Sequence, residues 1–239
     1  MAVAVRVEHL RKAFGRVVAV EDVTLEVYEG EVFGLIGPNG AGKTTTLRMI
    51  AGLVKPDSGR VAVMGLDPFK EPGQVKRVLG YLPEEADVYT RLTGLEHLKF
   101  YASIYGGDVD ETVRYGAAVS GLGGDLYKKA GEYSKGMKRR LLLSLVLMRR
   151  PKVALLDEPT SGLDVYSSIK VRDLIKAFAR ENRSTIILSS HNMLEVEYVC
   201  DRVAFINKGR VVEVGSPSDL KSRYGASNLE EVFVKATGG

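Results

Sequence analysis

Most of the first 65 residues carry strand patterns, several of them with apolar side chains at every second position. Val3, Val5 and Val7 alternate with more polar partners, Val17 to Val20 follows a Phe14-Gly15-Arg16 turn, and Val23, Leu25 and Val27 alternate again. A two-residue period predicts strands of an antiparallel, half-exposed sheet. The run Glu31 to Ile36 predicts an apolar strand that leads into Gly37-Pro38-Asn39-Gly40-Ala41-Gly42, and Lys43 to Leu53 has helical composition. Strand, glycine loop and helix therefore follow in that order. From about Gly80 to Lys135 the pattern turns helical, with Leu95, Leu98, Ala102 and Tyr105 at spacings of three, four and three and glycine breaks at Gly106-Gly107 and Gly123-Gly124. This predicts a helical lobe, about residues 80–150, inserted in the sheet domain. Ser134 fits a helix N-cap, with Met137, Leu141, Leu145 and Met148 on one face before Pro151.

Val153 to Leu156 and Thr185 to Leu188 are continuous apolar runs of strand length, as parallel strands covered on both faces require. Strands separated by helices predict an α/β core. Val203 to Ile206 and Arg210 to Val214, joined by Asn207-Lys208-Gly209, predict a closing hairpin. A tail of about residues 215–239 follows.

Composition narrows the class. A chain of 239 residues, 45% hydrophobic and 27% charged, reads as one globular domain spanning 1–239. The single Cys200 excludes an intramolecular disulfide framework, and one thiol with three histidines excludes a Cys-rich structural zinc site. The longest apolar stretch, Leu141 to Met148, contains Ser144 and is far short of the roughly 20 residues that span a bilayer. The N-terminus alternates and meets Arg6 and Glu8 early, a strand pattern, so a cytoplasmic protein is expected. The 34 basic residues against 30 acidic ones are spread along the chain, and no nucleic-acid partner is expected on charge.

The segment Gly37 to Thr44 satisfies G-x-x-x-x-G-K-[ST], the phosphate loop, in full. Successive backbone N–H groups can turn toward one anion only where glycine permits unusual dihedrals and close approach, and the following helix adds its positive end. Lys43 supplies a point charge for the β and γ phosphates, and the Thr44 hydroxyl suits Mg2+. Such a site needs a metal-side carboxylate at the end of another buried strand, which Asp157 supplies. Glu158 would face the same crevice and orient or deprotonate an attacking water.

Three further motifs complete an ordered set. Tyr133-Ser134-Lys135-Gly136-Met137 lies upstream of the Asp157 strand, Ser161-Gly162-Leu163-Asp164 follows Glu158, and Ser189-Ser190-His191 closes the next apolar strand. With the phosphate loop, this order and spacing resembles the nucleotide-binding subunit of ATP-binding cassette (ABC) transporters, over essentially the whole chain. The resemblance implies a P-loop NTPase core with a mainly parallel sheet, an N-terminal antiparallel β subdomain and an inserted α-helical subdomain. It implies ATP and Mg2+ as cofactors, with Phe14 stacking on adenine and Gly37, Pro38, Asn39, Gly40, Ala41, Gly42, Lys43, Thr44 and Thr45 holding the phosphates. Asp157 matches the acid on the Mg2+ side, Glu158 the catalytic carboxylate, and His191 the histidine that contacts the γ phosphate. Ser134 and Gly136 match residues that contact the γ phosphate held by a second nucleotide-binding subunit, and Asp164 lies in the loop that crosses between the two. A homo- or heterodimer is therefore implied, together with a separate transmembrane permease and a position on the inner face of the cell membrane.

Two departures stand out. Lys135 and Met137 replace the common Gly and Gln of the signature, and Glu84 stands where the family usually has a Gln that touches Mg2+. Glutamate can also ligate Mg2+, but it adds a charge and loses the amide donor. The Tyr133 to Met137 form and the tail Asn228 to Phe233 resemble the ABC-2-type exporter branch. The competing reading is a soluble cassette ATPase acting on nucleic acid or the ribosome. Against it, little more than a hundred residues separate Lys43 from Asp157, too few for a long coiled coil, and the chain has one phosphate loop. A catalytically dead regulatory subunit is opposed by Lys43, Asp157, Glu158 and His191 together.

Overall fold

The computed structural model describes residues 2–238; Met1 and Gly239, the two ends of the domain read from the sequence, lie outside the described residues. The chain opens with β1 (Val3–Phe14) and β2 (Val17–Tyr28), turns inward along β3 (Val32–Ile36), and enters α1 (Lys43–Ile50) through the glycine loop. Next come β4 (Ser58–Val63), α2 (Pro72–Val78) and β5 (Leu79–Leu82), then α3 (Gly94–Tyr105), α4 (Val109–Ser120) and α5 (Lys135–Leu147). The second half alternates β6 (Val153–Asp157), α6 (Val165–Asn182), β7 (Thr185–Ser190) and α7 (Met193–Val199) before the hairpin of β8 (Arg202–Asn207) and β9 (Arg210–Gly215). Two helices, α8 (Pro217–Tyr224) and α9 (Leu229–Thr237), close the described chain.

The nine strands among the described residues join one sheet in the order β4-β1-β2-β9-β8-β3-β7-β6-β5. The β1, β2 and β4 wing is antiparallel, as the alternation at Val3 to Val27 predicts, and β8 pairs antiparallel with β9. The centre is parallel: β3 lies between β7 and β8, and β6 between β5 and β7. The continuous apolar runs have a direct cause. On β6, Ala154 and Leu156 face the layer of α5, α6 and α7, while Val153 and Leu155 face the layer of α1 and the antiparallel wing. On β3, Phe33 and Leu35 enter the α1 layer and Val32 and Ile36 the other. Each strand buries both faces, so neither face can be polar.

The inserted helices begin where local chemistry starts them. Thr93 and Glu96 form a reciprocal capping box at α3, and Gly106, in a positive-φ conformation (φ 76°), ends it. Asp108 caps α4 and Ser134 caps α5, as expected for Ser134. The expectation of helix from about Gly80 is not met at its start. Leu79–Leu82 is a strand paired in register with β6, and the helices begin only at Gly94. Four residues are too few to display a period, and a Cβ at Gly80 would crowd Val146, so the pairing is decided by neighbours distant in sequence. Likewise α1 stops at Ile50, three residues short of Leu53. The tail docks: Leu229 and Val232 are fully buried and the Phe233 ring meets Phe205 edge-on at 5.5 Å.

Thr93→Ala removes the side-chain half of the capping box, the acceptor for the Glu96 N–H, and keeps the backbone N–H that donates to Glu96. We expect it to cost about 1 kcal/mol and to lower the thermal midpoint by about 2–4 °C in a domain of this size, read by differential scanning calorimetry.

Candidate functional site

The strand register sets the site. Ile36 lies beside Ser190 and Asp157 beside Ser189, so the C-terminal ends of β3, β6 and β7 bring three loops into one crevice. In open parallel sheets this edge is where ligands bind. The loop out of β3 can take its path only with glycine at two points. A side chain at Gly37 would run into the Ile206 carbonyl, and Gly42 has φ 106° with the Ala19 carbonyl against it. Gly42 is also the N-cap of α1, which has no side-chain cap and no acid in its first turn. The first N–H groups of α1 are thus left for an outside acceptor. Pro38, Asn39 and Gly40 form the exposed rim, Ala41 is buried, and Thr45 is half-buried.

Lys43 lies inside this loop, its side chain 7% exposed. The Nζ donates to the carbonyl oxygens of Gly37 at 2.7 Å and Pro38 at 3.2 Å. It also stands 3.5 Å from Glu158 Oε1. The other Glu158 oxygen, Oε2, is 2.9 Å from His191 Nδ1, so one carboxylate spans from the loop lysine to the histidine after β7. Glu158 holds a left-handed backbone, φ 46°, a conformation uncommon outside glycine and frequent at functional turns.

Asp157 is fully buried at the end of β6. Its Oδ1 accepts from the Thr44 hydroxyl at 3.1 Å and the Ser189 hydroxyl at 2.5 Å, whereas Oδ2 has no hydrogen-bond partner. An orphaned buried carboxylate oxygen is costly, and beside a threonine hydroxyl it fits one face of a hard, oxygen-seeking divalent cation. No group of three or more His, Cys, Asp or Glu among the described residues forms a cation cage. That donor set suits Mg2+, which takes one or two protein oxygens and completes its shell with phosphate and water.

The remaining sequence candidates stand apart from this cluster. Phe14, 52% exposed, ends β1 with Lys12 Nζ 5.5 Å from its ring centre, and the same hairpin sets Ala19 against the phosphate loop. The Glu84 side chain is exposed and forms no hydrogen bond or ion pair among the described residues, although its loop borders a cleft shared with Lys135 and Glu158. Ser134 is exposed and accepts from Met137 N at 3.2 Å. Gly136 packs so closely on Ser167 that no Cβ fits. Asp164 caps α6, accepting from Ser167 N at 2.9 Å and Ser167 Oγ at 2.6 Å, and these bonds hold its carboxyl below the usual range. The start of α5 and the start of α6 are therefore joined through Ser167.

The roles of two groups escape sequence reasoning, although Ser189 itself lies in the motif that ends at His191. Ser189 accepts from Glu158 N at 2.9 Å while donating to Asp157, so one hydroxyl orders both acids. Glu195, 3% exposed, takes hydrogen bonds from Thr160 and Ser190 through Oε2, and burial pushes its carboxyl up. Its only sequence signal is a position four residues after His191, between the apolar Leu194 and Val196.

Loop, lysine, acid pair and histidine at one sheet edge define a phosphate-loop nucleotide-binding ATPase. Residues 20–161 match the protein family described as ABC transporter, and the chain belongs to that family. It is 38% identical over 230 residues to the linearmycin resistance ATP-binding protein LnrL of Bacillus subtilis, covering 95% of this chain and 74% of that protein. ABC transporter A family member 5 of Arabidopsis thaliana is 44% identical over 215 residues, but these are 87% of this chain and only 23% of that much longer protein. A solved structure of the ATP binding subunit of an ABC transporter superposes with a TM-score of 0.85 at 30% identity, covering 98% of this chain and 99% of that one.

Ser189→Ala leaves the buried Glu158 N–H without its acceptor. A loss of about 1–3 kcal/mol in unfolding free energy is expected, measured by urea denaturation, together with slower ATP hydrolysis.

Proposed function

We propose that this ATP-binding and ATP-hydrolysing subunit binds ATP with Mg2+ along the loop Gly37 to Thr45 and uses Glu158 as the carboxylate that accepts the proton of the attacking water. The observation that carries the reading is the single Glu158 carboxylate held between Lys43 and His191. Asp157 Oδ2 and the Thr44 hydroxyl would hold Mg2+, which when bound would offset charge on the β and γ phosphates. Lys43 would exchange its carbonyl acceptors for phosphate oxygens, a stronger charge-assisted bond. His191 would keep Glu158 aimed at the water, and Phe14 would cover the base. Glu84 would reach the metal side only by turning its exposed carboxylate into the crevice.

Ser134 and Gly136 have no hydrogen bond to their own phosphate loop among the described residues. We assign them to the γ phosphate of a second subunit, either another copy of this chain or a similar one, with the Asp164 loop at the seam. The dimer would then drive a transmembrane permease from the inner face of the membrane. Export is supported by the similarity to LnrL, named for linearmycin resistance, and by the Tyr133 to Met137 and Asn228 to Phe233 segments.

Glu158→Gln is expected to keep ATP affinity, to lose about 10²–10⁴-fold in hydrolysis, and to accumulate as an ATP-bound dimer on size-exclusion chromatography. Hydrolysis near the wild-type rate would remove Glu158 from this role. For the unmodified protein, turnover per subunit should climb with protein concentration and level off as dimer forms. A turnover per subunit that stays constant down to nanomolar protein would sink the two-subunit site.

A further inference from the structure

One buried cation has no part in the chemistry above. Arg139 lies on α5, a turn beyond Ser134 and Gly136, and is 8% exposed. Every hydrogen bond it makes ends on a backbone carbonyl. The Nε donates to Pro159 O at 2.8 Å, and Nη2 donates to Asp157 O and to Glu158 O, each at 2.8 Å. On the other side Nη1 points to Pro83 O at 3.4 Å and Glu84 O at 3.5 Å.

This is an expensive arrangement. Burial disfavours the charged guanidinium, and the carboxylates of Asp157, Glu84, Glu158 and Glu195 act on it only through their field. A plain ion pair would use one acid. A flat fork of donors instead reaches several acceptors in fixed directions, which a lysine or a neutral side chain cannot do. The acceptors belong to two loops that leave neighbouring strands: the turn after β6, which carries Glu158 in its left-handed conformation, and the turn after β5, which carries Glu84. The donor sits on a third element, the helix whose first turn presents Ser134.

We propose that Arg139 is a positioning residue that locks the Asp157 to Pro159 backbone, the Pro83 to Glu84 backbone and helix α5 into one unit, so that a displacement at Ser134 is carried to the Glu158 carboxylate. The inference rests on the hydrolytic reading of Glu158. Since Arg139 touches no part of the phosphate loop, its loss should act on turnover and leave nucleotide affinity alone.

The test measures kcat, KM for ATP, and the affinity and stoichiometry of a fluorescent ATP analogue for Arg139→Met and Arg139→Lys, with Glu158→Gln alongside. Arg139→Met should lose at least tenfold in kcat while affinity and stoichiometry stay within twofold of wild type. Arg139→Lys keeps the charge but lacks the fork, and should lose at least threefold in the same pattern. It serves if the methionine variant does not fold. A smaller loss in Arg139→Lys overturns the proposal, as does hydrolysis that falls only in step with the fraction of chains still binding nucleotide. If Glu158→Gln is inactive while Arg139→Met turns over normally, this proposal alone fails; if Glu158→Gln is active, the hydrolytic reading fails and takes this one with it.

Discussion

The parallel register of β3, β6 and β7 is the constraint on which the rest depends. It sets Asp157 beside Ser189 and Ile36 beside Ser190, and from that alignment one serine hydroxyl reaches both acids while Thr44 reaches Asp157 from the loop side. A register slip of one residue would turn every one of these side chains to the opposite face of the sheet. The two hydrophobic layers forbid such a slip, because each central strand is apolar on both sides and is locked by different neighbours on each. Packing far from the crevice thereby fixes distances inside it.

The charges of the site are arranged for a guest that is itself highly charged. Asp157, Glu158 and Glu195 are buried within a short stretch of structure, and Lys43 and Arg139 are the buried cations near them. Lys43 divides its donors between loop carbonyls and Glu158, and Arg139 spends all of its donors on carbonyls. Asp157 Oδ2 is left bare. On the proposed reading, a polyphosphate with a divalent cation would supply the missing partners of both signs at once and so would couple binding to the order of the acid loop.

What could be read from the chain was what is local. The two-residue alternation of Val3 to Val27, the apolar runs at Val153 and Thr185, the serine cap at Ser134 and the glycine loop each state their structure within a few residues. Strand β5 could not be read this way, because a run of four residues carries no period and its pairing with β6 is settled by Val146 and Val153. Among the site residues, the loop, Asp157, Glu158 and His191 sit in motifs with a definite order. Ser189, Glu195 and Arg139 matter chiefly through partners on other elements, distant in sequence, and Arg139 looks, in sequence, like any basic residue on a helix rich in Lys and Arg.

The left-handed backbone at Glu158 has a consequence for how the site persists. At φ 46° glycine would be the more comfortable occupant, and the surrounding bonds from Ser189 and Arg139 must hold a carboxylate where the chain would prefer no side chain. A glycine there would relax the turn and abolish the acid. If Glu158 has the role proposed for it, stability and turnover pull in opposite directions at this one position, and a lineage released from the need to hydrolyse ATP would be expected to drift toward glycine, asparagine or aspartate here before it lost the fold.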